Sequence, residues 1–262
     1  MPTEMEDYLF DLRGYVMLEG AIDQGYIDQL NAGIDALLPM KPQEWKGHVH
    51  RHDHGKSNQT HLQNIYEAGE PFERLIDYPV WLDHVNRYVG GDDGLFIDES
   101  FVIISGPGPG QQFHSGGHKR KIRTQYRFHN NEFRCGQVNV IIALTDIGPG
   151  DGPTMVIPGG HKSNLMHPVY KMGARKLGDV EVEGAIPIHY KAGDAIVFVD
   201  CLSHAGGPRI NPGERRVLVI RYGPHWGHNR YGYRPSDALL ARLTPARRQI
   251  LQPIPPKLPP ES

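Results

Sequence analysis

The sequence predicts a mainly β protein, an antiparallel sandwich or barrel preceded by helices. From Leu95 onward, short segments rich in β-branched and aromatic residues alternate with clusters of turn-forming residues, and no regular helical pattern separates them. The chain also contains 31 glycines and 22 prolines, which suits many short strands joined by turns. We therefore expect a fold without parallel βαβ units.

The first part of the chain is expected to be largely helical. Gly14–Glu19 has the pattern of a short strand, and Ala21–Leu38 repeats apolar residues at helical spacing. Lys41–Gly69 is polar, shows little periodicity and is expected to form a long loop. Pro71–Val89 again has helical spacing and begins with a proline, a residue suited to the first turn of a helix.

The candidate strands of the β region are each bounded by Gly, Pro, Asn or Asp. They are Phe96–Ser105, Ile122–Phe128, Gln137–Ile147, Thr154–Ile157, Ala185–Tyr190, Asp194–Asp200 and Arg216–Tyr222. A helix is expected from Ser236 to Leu251, followed by an extended proline-rich tail.

The chain is expected to form a single domain over residues 1–262, since no repeat or linker divides it. Within this domain we expect an N-terminal helical part over about residues 1–94 and a β core over about 95–223. The C-terminal helix and tail occupy residues 224–262.

Charge and composition exclude several classes of protein. Lysine plus arginine number 28 and aspartate plus glutamate 30, a net charge of -2, which argues against a binder of nucleic-acid polymers. No apolar run is long enough to span a bilayer, and the acidic N-terminus lacks the apolar segment of a signal peptide. Cys135 and Cys201 form no CxxC motif, so we expect free thiols and a cytoplasmic location.

Three features of the β region are expected to form a metal site. His114 follows a strand, His204 ends another, and Arg215 opens the next strand, 11 residues after His204. Two histidines at strand ends can meet across a small barrel and bind one metal ion, and a nearby arginine can bind a carboxylate through its planar guanidinium. An iron site that uses 2-oxoglutarate requires such a set.

Two stretches resemble the phytanoyl-CoA dioxygenase family. Asp146–Ser163 contains Ile-Pro-Gly-Gly-His-Lys, similar to the family's Ile-Pro-Gly-Ser-His-Lys, and His204–Arg215 resembles its distal histidine and 2-oxoglutarate arginine at the same spacing. The resemblance runs from about Gly14 to Tyr222. It implies a double-stranded β-helix core (a jelly roll, as in cupins) with flanking α-helices, and Fe(II), 2-oxoglutarate and O2 as cofactors.

The chain departs from this family at the proximal motif. The family has His-x-Asp, whereas this chain has His114-Ser115-Gly116, and none of its 15 histidines is followed two residues later by Asp or Glu. The pattern resembles iron- and 2-oxoglutarate-dependent halogenases, in which Gly or Ala replaces the aspartate and chloride binds the iron directly. This resemblance implies a halogenase that chlorinates an unactivated carbon of a small molecule, with His114 and His204 as iron ligands and Gly116 as the catalytic position that admits chloride.

Other readings of Gly116 remain open. The chain could be a hydroxylase of the phytanoyl-CoA dioxygenase family that takes its carboxylate ligand from Asp151 or Asp200. It could also be a relative that has lost its metal, or a cupin-like binding module without metal or with zinc. The presence of Arg215 favours an enzyme, because a pure binding module has no need of a 2-oxoglutarate arginine.

Further candidate residues are assigned by position. Gln112, Asn139 and Thr154 are expected to help hold 2-oxoglutarate. A run of basic residues at odd-numbered positions follows the metal motif, and its members would lie on one face if the segment were a strand. It is either a solvated outer face or a clamp for a phosphorylated, nucleotide or carrier-bound substrate. The run comprises Lys119, Lys121, Arg123 and Arg127.

Two aromatic or histidine-rich clusters have weaker patterns. The segment His48–His54 matches no zinc spacing and is expected to be a polar lid whose histidines could contact substrate. Trp226, Tyr231 and Tyr233 could stack on a base, although aromatic residues near the end of a barrel more often pack in the core.

Overall fold

The computed structural model describes residues 1–52, 58–90, 94–121, 124–172, 181–224, 236–245, 247 and 259–260. The helices in this part of the chain are α1 (Glu4–Arg13), α2 (Gln24–Asp35), α3 (Glu70–Glu73), α4 (Pro79–Val89) and α5 (Asp237–Arg242). Short 3-10 helices cover Ile65–Ala68, Gly117–Lys119 and Pro168–Lys171.

The strands are numbered in chain order along the same described residues. They are β1 (Tyr15–Leu18), β2 (Trp45–Lys46), β3 (Val49–Arg51), β4 (Gln59–Gln63), β5 (Leu95–Ser105), β6 (Phe128–His129), β7 (Glu132–Phe133), β8 (Val138–Ala143), β9 (Thr154–Val156), β10 (Ile186–Ile188), β11 (Ala195–Val199), β12 (His204–Gly206) and β13 (Arg215–Pro224).

Two antiparallel sheets form the body of the fold. The large sheet has the order β1-β11-β8-β13-β5-β4-β3-β2, and the small sheet has the order β10-β9-β12. Strands β6 and β7 pair as a separate hairpin. Strands β1, β11, β8, β13 and β5 are neighbours that are not consecutive in sequence, which is the jelly-roll arrangement, and β4, β3 and β2 extend the sheet as sequential neighbours of β5. The predicted mainly β jelly-roll class with flanking helices is confirmed.

Strand β13 separates the two halves of the interior because its side chains alternate between the faces of the sheet. On one face, the Tyr222 hydroxyl donates to the Ile76 carbonyl (2.9 Å) and accepts from the Trp81 indole (3.1 Å), which lies on α4. On the same face, Arg216 forms an ion pair with Asp35 of α2 at 2.7 Å. The opposite face, which begins with Arg215, lines a cavity between the two sheets.

The polar segment expected to be a loop, Lys41–Gly69, instead contains β2, β3 and β4, which extend the large sheet beyond β5. Strand β4 pairs with β5 from Gln59 opposite Ser105 to Gln63 opposite Phe101. Strand β4 has few buried apolar side chains, so the sequence shows no strand periodicity there. The strand is defined by main-chain pairing with β5 and not by an apolar face. The part before residue 95 is therefore mixed, with helices and four strands of the large sheet, and not mainly helical.

The expected helix Pro71–Val89 is divided into α3 and α4. Pro79 is the first residue of α4, and Tyr78 before it has the extended conformation with ψ 124°. A residue that precedes proline is disfavoured in the helical region, so Pro79 restarts the helix instead of continuing it.

The other departures are shorter. The expected strand Ile122–Phe128 does not form within its described residues, where only Phe128 belongs to a strand, β6. Helix α1, begun by a capping box between Thr3 and Glu6, was not predicted. Helix α5 is shorter than the predicted Ser236–Leu251, part of which lies outside the described residues.

A buried histidine joins α1 to the loop after β9. The His161 side chain is 1% exposed, and its Nε2 donates to the Asp11 carbonyl at 3.0 Å. Its ring packs edge-on against Tyr126, with ring centroids 4.6 Å apart. Burial lowers the pKa of His161 from 6.5 to about 4, so the folded protein holds this ring neutral.

None of the helices in the described residues has the length and apolar character needed to cross a membrane.

The free energy of unfolding should therefore depend on pH through His161. Between the unfolded pKa of 6.5 and the folded value of about 4, only the unfolded chain takes up this proton, so stability falls as the pH decreases through that window. A shift of this size corresponds to about 3 kcal/mol at the acid end. Urea unfolding at pH 7 and pH 4.5 should show a larger loss for the wild type than for His161→Gln. Parallel pH profiles of the two proteins would contradict this assignment.

Candidate active site

The candidate site is a cavity of about 270 Å³ between the inner face of the large sheet and the small sheet. Strands β4, β5, β8, β11 and β13 supply one wall, and β9 and β12 supply the other. Of the residues assigned from the sequence, the cavity brings together His114, Asn139, Thr154, His204 and Arg215.

The two predicted metal ligands are in contact at this cavity. His114 and His204 form an antiparallel bridge, in which the amide of His114 donates to the carbonyl of His204 at 3.0 Å and the reverse bond is 3.3 Å. This bridge extends the small sheet by one residue pair and fixes the two Cα atoms side by side. The ring centroids are 4.1 Å apart.

The orientation of both rings is set by backbone carbonyls two residues earlier. His114 Nδ1 lies 3.2 Å from the carbonyl of Gln112, and His204 Nδ1 lies 2.7 Å from the carbonyl of Leu202. A carbonyl only accepts hydrogen bonds, so each Nδ1 carries the proton and each Nε2 keeps its lone pair. A histidine that ligates a metal through one nitrogen usually donates from the other in this way.

Both rings are held in the neutral state that metal binding requires. Burial lowers the pKa of His204 well below its usual value, and the neighbouring His114 lowers it further. Burial among protein atoms also lowers the pKa of His114, although its ring remains accessible to the solvent of the cavity. The cysteines are not part of this chemistry: both thiols are free and buried, and burial raises the pKa of each.

Gly116 lies beside the histidines but is not among the residues that line the cavity. Its φ is 104°, a conformation that L-residues rarely adopt, and its amide donates to the carbonyl of Cys201 at 3.0 Å. A Cβ atom at this position would lie 2.8 Å from Cε1 of His118 and 3.2 Å from Oγ of Ser203. The neighbouring side chains thus occupy the space in which a side chain of residue 116 would begin.

Within the described residues, no group of three His, Cys, Asp or Glu side chains is placed to hold a metal ion. Asp151 is engaged elsewhere, in an ion pair with Arg209 at 3.2 Å and a hydrogen bond from Asn211 at 3.0 Å. Asp200 is buried closer to the site, where its carboxylate accepts from Asn139 Nδ2 at 2.9 Å and raises the pKa of His114 against the effect of burial.

Arg215 projects into the cavity from the first residue of β13 and is 7% exposed. Its Nη2 lies 3.4 Å from the hydroxyl of Thr154, which in turn lies 2.9 Å from the hydroxyl of Tyr190. Its buried Nε has no hydrogen-bond partner among the described residues. A buried guanidinium that lines a cavity and has an unused donor is suited to binding a carboxylate.

The remaining 2-oxoglutarate candidates differ in placement. Asn139 is 1% exposed, lines the cavity and has a buried Oδ1 without a hydrogen-bond partner among the described residues. Gln112 is exposed and is not among the lining residues; its main-chain carbonyl orients His114 instead.

The basic run is not brought to the cavity. Lys119 ends a 3-10 helix and its Nζ lies 5.5 Å from the ring centroid of Tyr170, while Lys121 is exposed and outside any strand. Arg127 lines a separate surface groove beside the β6–β7 hairpin, and Arg123 lies outside the described residues. The shared strand face on which the phosphate clamp depended is absent from the described part of this segment.

Only part of the other two clusters lies within the described residues. His50 is 4% exposed and stacks on Trp45 with ring centroids 4.3 Å apart, which makes it a packing residue of β3. Within the segment His48–His54, Val49–Arg51 forms β3, which lies between β4 and the edge strand β2, and His54 lies outside the described residues. Trp226, Tyr231 and Tyr233 also lie outside the described residues.

Sequence reasoning missed a second polar group in the cavity. Arg221 stands six positions after Arg215 on β13, an even spacing that could have placed it on the same face. The remaining members come from β4, whose sequence predicts a loop, from β5 and from the segment before His114. The missed residues are His61, Gln63, Glu99, Gln111 and Arg221.

Comparisons with known proteins place this geometry in a family. The family model of phytanoyl-CoA dioxygenase (PhyH) matches residues 10–217. Dioxygenase cdmD of Talaromyces verruculosus is 22% identical over 268 residues, which cover 95% of this chain and 84% of the relative.

Solved structures share the fold at low sequence identity. HygX from Streptomyces hygroscopicus, crystallised with nickel and 2-oxoglutarate, has a TM-score of 0.74 and 20% identity, with 86% of this chain and 88% of that chain covered. SnoN, a non-heme alpha ketoglutarate dependent epimerase from nogalamycin biosynthesis, has a TM-score of 0.62 and 15% identity, covering 84% and 82%. Because the family match spans most of the sequence, including His114, His204 and Arg215, the chain belongs to the phytanoyl-CoA dioxygenase family of oxidoreductases.

Proposed function

We propose that this chain is an Fe(II)- and 2-oxoglutarate-dependent oxidoreductase in which His114 and His204 hold the iron. The observation that carries the proposal is the histidine pair itself. The rings are 4.1 Å apart, and both donate through Nδ1 to carbonyls, so both Nε2 atoms are available to one ion. HygX, which has the same fold, was crystallised with nickel and 2-oxoglutarate and, separately, with iron.

The chain's residues fit 2-oxoglutarate as well as iron. The unused Nε donor of Arg215 is buried at the cavity wall, and Thr154 lies beside the same guanidinium. The distal carboxylate of 2-oxoglutarate would satisfy this donor in a charge-assisted pair. Asn139 lies on the same inner face of the large sheet, where its Nδ2 donates to Asp200.

When bound, iron with 2-oxoglutarate and O2 supplies the oxidising power that removes a hydrogen atom from an unactivated carbon. The protein's own part is to position the reactants. The His114–His204 bridge fixes the ligands on a rigid strand pair, Arg215 orients the cosubstrate, and the cavity walls limit which carbon of the substrate approaches.

The finer proposal is halogenation, with chloride in the coordination position that a carboxylate at residue 116 would otherwise take. The positive φ of Gly116 and the closeness of His118 support it, because this backbone is adapted to the absence of a side chain at residue 116. The described residues also provide no third protein ligand of the usual types beside the two histidines.

Hydroxylation is the second candidate, and one observation favours it. Asp200 is buried beside the cavity residue Asn139, which makes it the acidic side chain that a rearrangement would bring to the metal. Asn139 now holds that carboxylate at 2.9 Å. The two candidates differ in whether turnover needs a halide.

The substrate is a small molecule that enters the cavity between the sheets. HygX, for comparison, was crystallised with hygromycin B. A phosphate clamp is not supported, since Lys119, Lys121 and Arg127 do not line this cavity. A nucleotide substrate therefore has no support from these side chains.

Replacing either histidine should remove iron binding. In His114→Ala and His204→Ala only one imidazole ligand remains at the site, and metal affinity depends on each ligand. The visible charge-transfer band that forms when Fe(II) and 2-oxoglutarate are added without oxygen should be present in the wild type and absent from both variants. A band of normal intensity in either variant would overturn the ligand assignment.

Replacing Arg215 should raise the 2-oxoglutarate requirement. Arg215→Ala loses a charge-assisted pair worth about 1.5–3 kcal/mol, or roughly tenfold to hundredfold in affinity. The matched control is Arg216→Ala, whose side chain lies on the other face of β13 in ion pairs with Asp35 and Glu214. Titration of the anaerobic iron complex with 2-oxoglutarate should show the loss in the first variant only. The reverse outcome would reassign the two arginines.

The halide site can be tested at Gly116 with a pair of variants. Gly116→Ala and Gly116→Asp share the strain of φ 104° and the contact with His118, but only the second carries a carboxylate. We expect the band of the wild-type iron complex to shift when chloride or bromide is added to halide-free buffer. This response should persist, weakened, in Gly116→Ala and vanish in Gly116→Asp, whose tethered carboxylate competes for the position.

Mass spectrometry of the turnover products provides the decisive readout. Chlorinated product in chloride buffer, absent in halide-free buffer, supports the halogenase. Identical hydroxylated product with and without halide would refute it in favour of the hydroxylase, and loss of activity in Asp200→Asn would then identify the carboxylate.

A further inference from the structure

The cavity has a second charged group besides Arg215, the ion pair between Glu99 of β5 and Arg221 of β13. Arg221 Nη1 lies 2.9 Å from Glu99 Oε2, and both side chains line the same cavity as the two histidines. Arg221 is six residues from Arg215, which corresponds to about 20 Å along a strand. The pair therefore stands well away from the 2-oxoglutarate residue, along the same inner face.

This ion pair is only partly satisfied. The Nε atom of Arg221 is buried and has no hydrogen-bond partner among the described residues. The guanidinium also lies over the Phe101 ring, 5.3 Å from its centroid. The side chains of Glu99 and Arg221 keep 34% and 29% exposure, which opens them to the cavity. Together they offer a carboxylate acceptor and a guanidinium donor beside an aromatic face.

The charges of the pair decide which ligands it can take. An anion would have to displace Glu99 from Arg221, and a cation would have to displace Arg221 from Glu99. A neutral group that both donates and accepts hydrogen bonds can bridge the two without breaking the pair. Neighbouring hydroxyl groups on a ring have this property, since one can donate to the carboxylate while the other accepts from the guanidinium.

Further amide and imidazole side chains extend this polar surface. Gln63, Gln111 and His61 line the same cavity, and Gln111 Nε2 donates to Gln59 Oε1 at 3.3 Å. A cavity lined by such polar side chains is poorly suited to an apolar acyl chain, because the chain would displace water from them and offer no hydrogen bond in return.

We infer that the Glu99–Arg221 pair is the substrate-recognition site and that it takes a neutral polyhydroxylated ring, a carbohydrate or cyclitol with neighbouring hydroxyl groups. This inference rests on the proposed function, because it assigns the substrate class of the same cavity. The ring lies against Phe101, its hydroxyls bind Glu99 and Arg221, and the carbon to be attacked points towards His114 and His204.

The test is saturation-transfer NMR on the full chain loaded with Zn(II), a diamagnetic substitute for iron, and 2-oxoglutarate. The probes are myo-inositol and methyl α-D-glucopyranoside, with cyclohexanol as the matched ring that lacks neighbouring hydroxyls. Saturable signals are expected for both polyols and weaker ones for cyclohexanol. Glu99→Gln and Arg221→Gln should each weaken polyol binding tenfold to hundredfold, the range of a lost charge-assisted hydrogen bond. Arg216→Gln, on the opposite face of β13, is the control and should bind like the wild type.

The outcomes separate this inference from the proposed function. If the 2-oxoglutarate signal itself is missing, or is unaffected by Arg215→Ala, the proposed function fails. If 2-oxoglutarate binds as expected but no polyol signal is seen, or cyclohexanol binds as well as myo-inositol, the substrate class is wrong. If glucose 6-phosphate binds tenfold more tightly than the methyl glucoside and this binding depends on Arg221, the substrate is anionic and the neutral class is wrong. Thermal melts of each variant, and Arg221→Lys as a milder change, distinguish lost binding from lost folding.

Discussion

The alternation of side chains along β13 is the constraint on which the rest of the structure depends. Strand β13 lies between β8 and β5, and both of its faces are covered, one by the helices and the other by the small sheet across the cavity. Its even-numbered residues pack against the helices, where Tyr222 meets Trp81, while its odd-numbered residues, from Arg215 to Arg221, line the cavity. A register slip of one residue would place both cavity arginines among the helices, so the same pairing that stabilises the fold also builds the site.

The small sheet completes the site through the short backbone bridge between His204 and His114. Strand β12 has only three residues, yet it carries His204 and forms the bridge to His114. The Tyr170 hydroxyl donates to the carbonyl of His114 at 3.0 Å, which connects the 3-10 helix Pro168–Lys171 to His114. The two proposed metal ligands are thus held by backbone pairing, whereas the residues proposed to bind the cosubstrate and the substrate project mainly from the long strands of the large sheet.

The sequence predicted the parts of the molecule that have a strong local signal. The antiparallel β class follows from the strand boundaries, and the resemblance to the phytanoyl-CoA dioxygenase family implied the jelly roll. The histidine pair and Arg215 were identified from their positions at strand ends and from the spacing of 11 residues between His204 and Arg215. Strand β4 and the Glu99–Arg221 pair were missed because their signal is not local: β4 is defined by pairing with β5, and the ion pair joins strands that are far apart in sequence. The basic run was misplaced because residues with odd numbers share one face only if the segment is a strand. Lys119 instead ends a 3-10 helix.

The packing around Gly116 has a consequence for how this protein can evolve. The left-handed backbone at that residue, with the His118 ring against the place where a side chain would begin, makes the position epistatic to residue 118. A single substitution of Gly116 by aspartate would combine a strained backbone with a displaced His118 ring. A carboxylate at residue 116 therefore requires a compensating change at residue 118, and the two positions constrain each other as a pair.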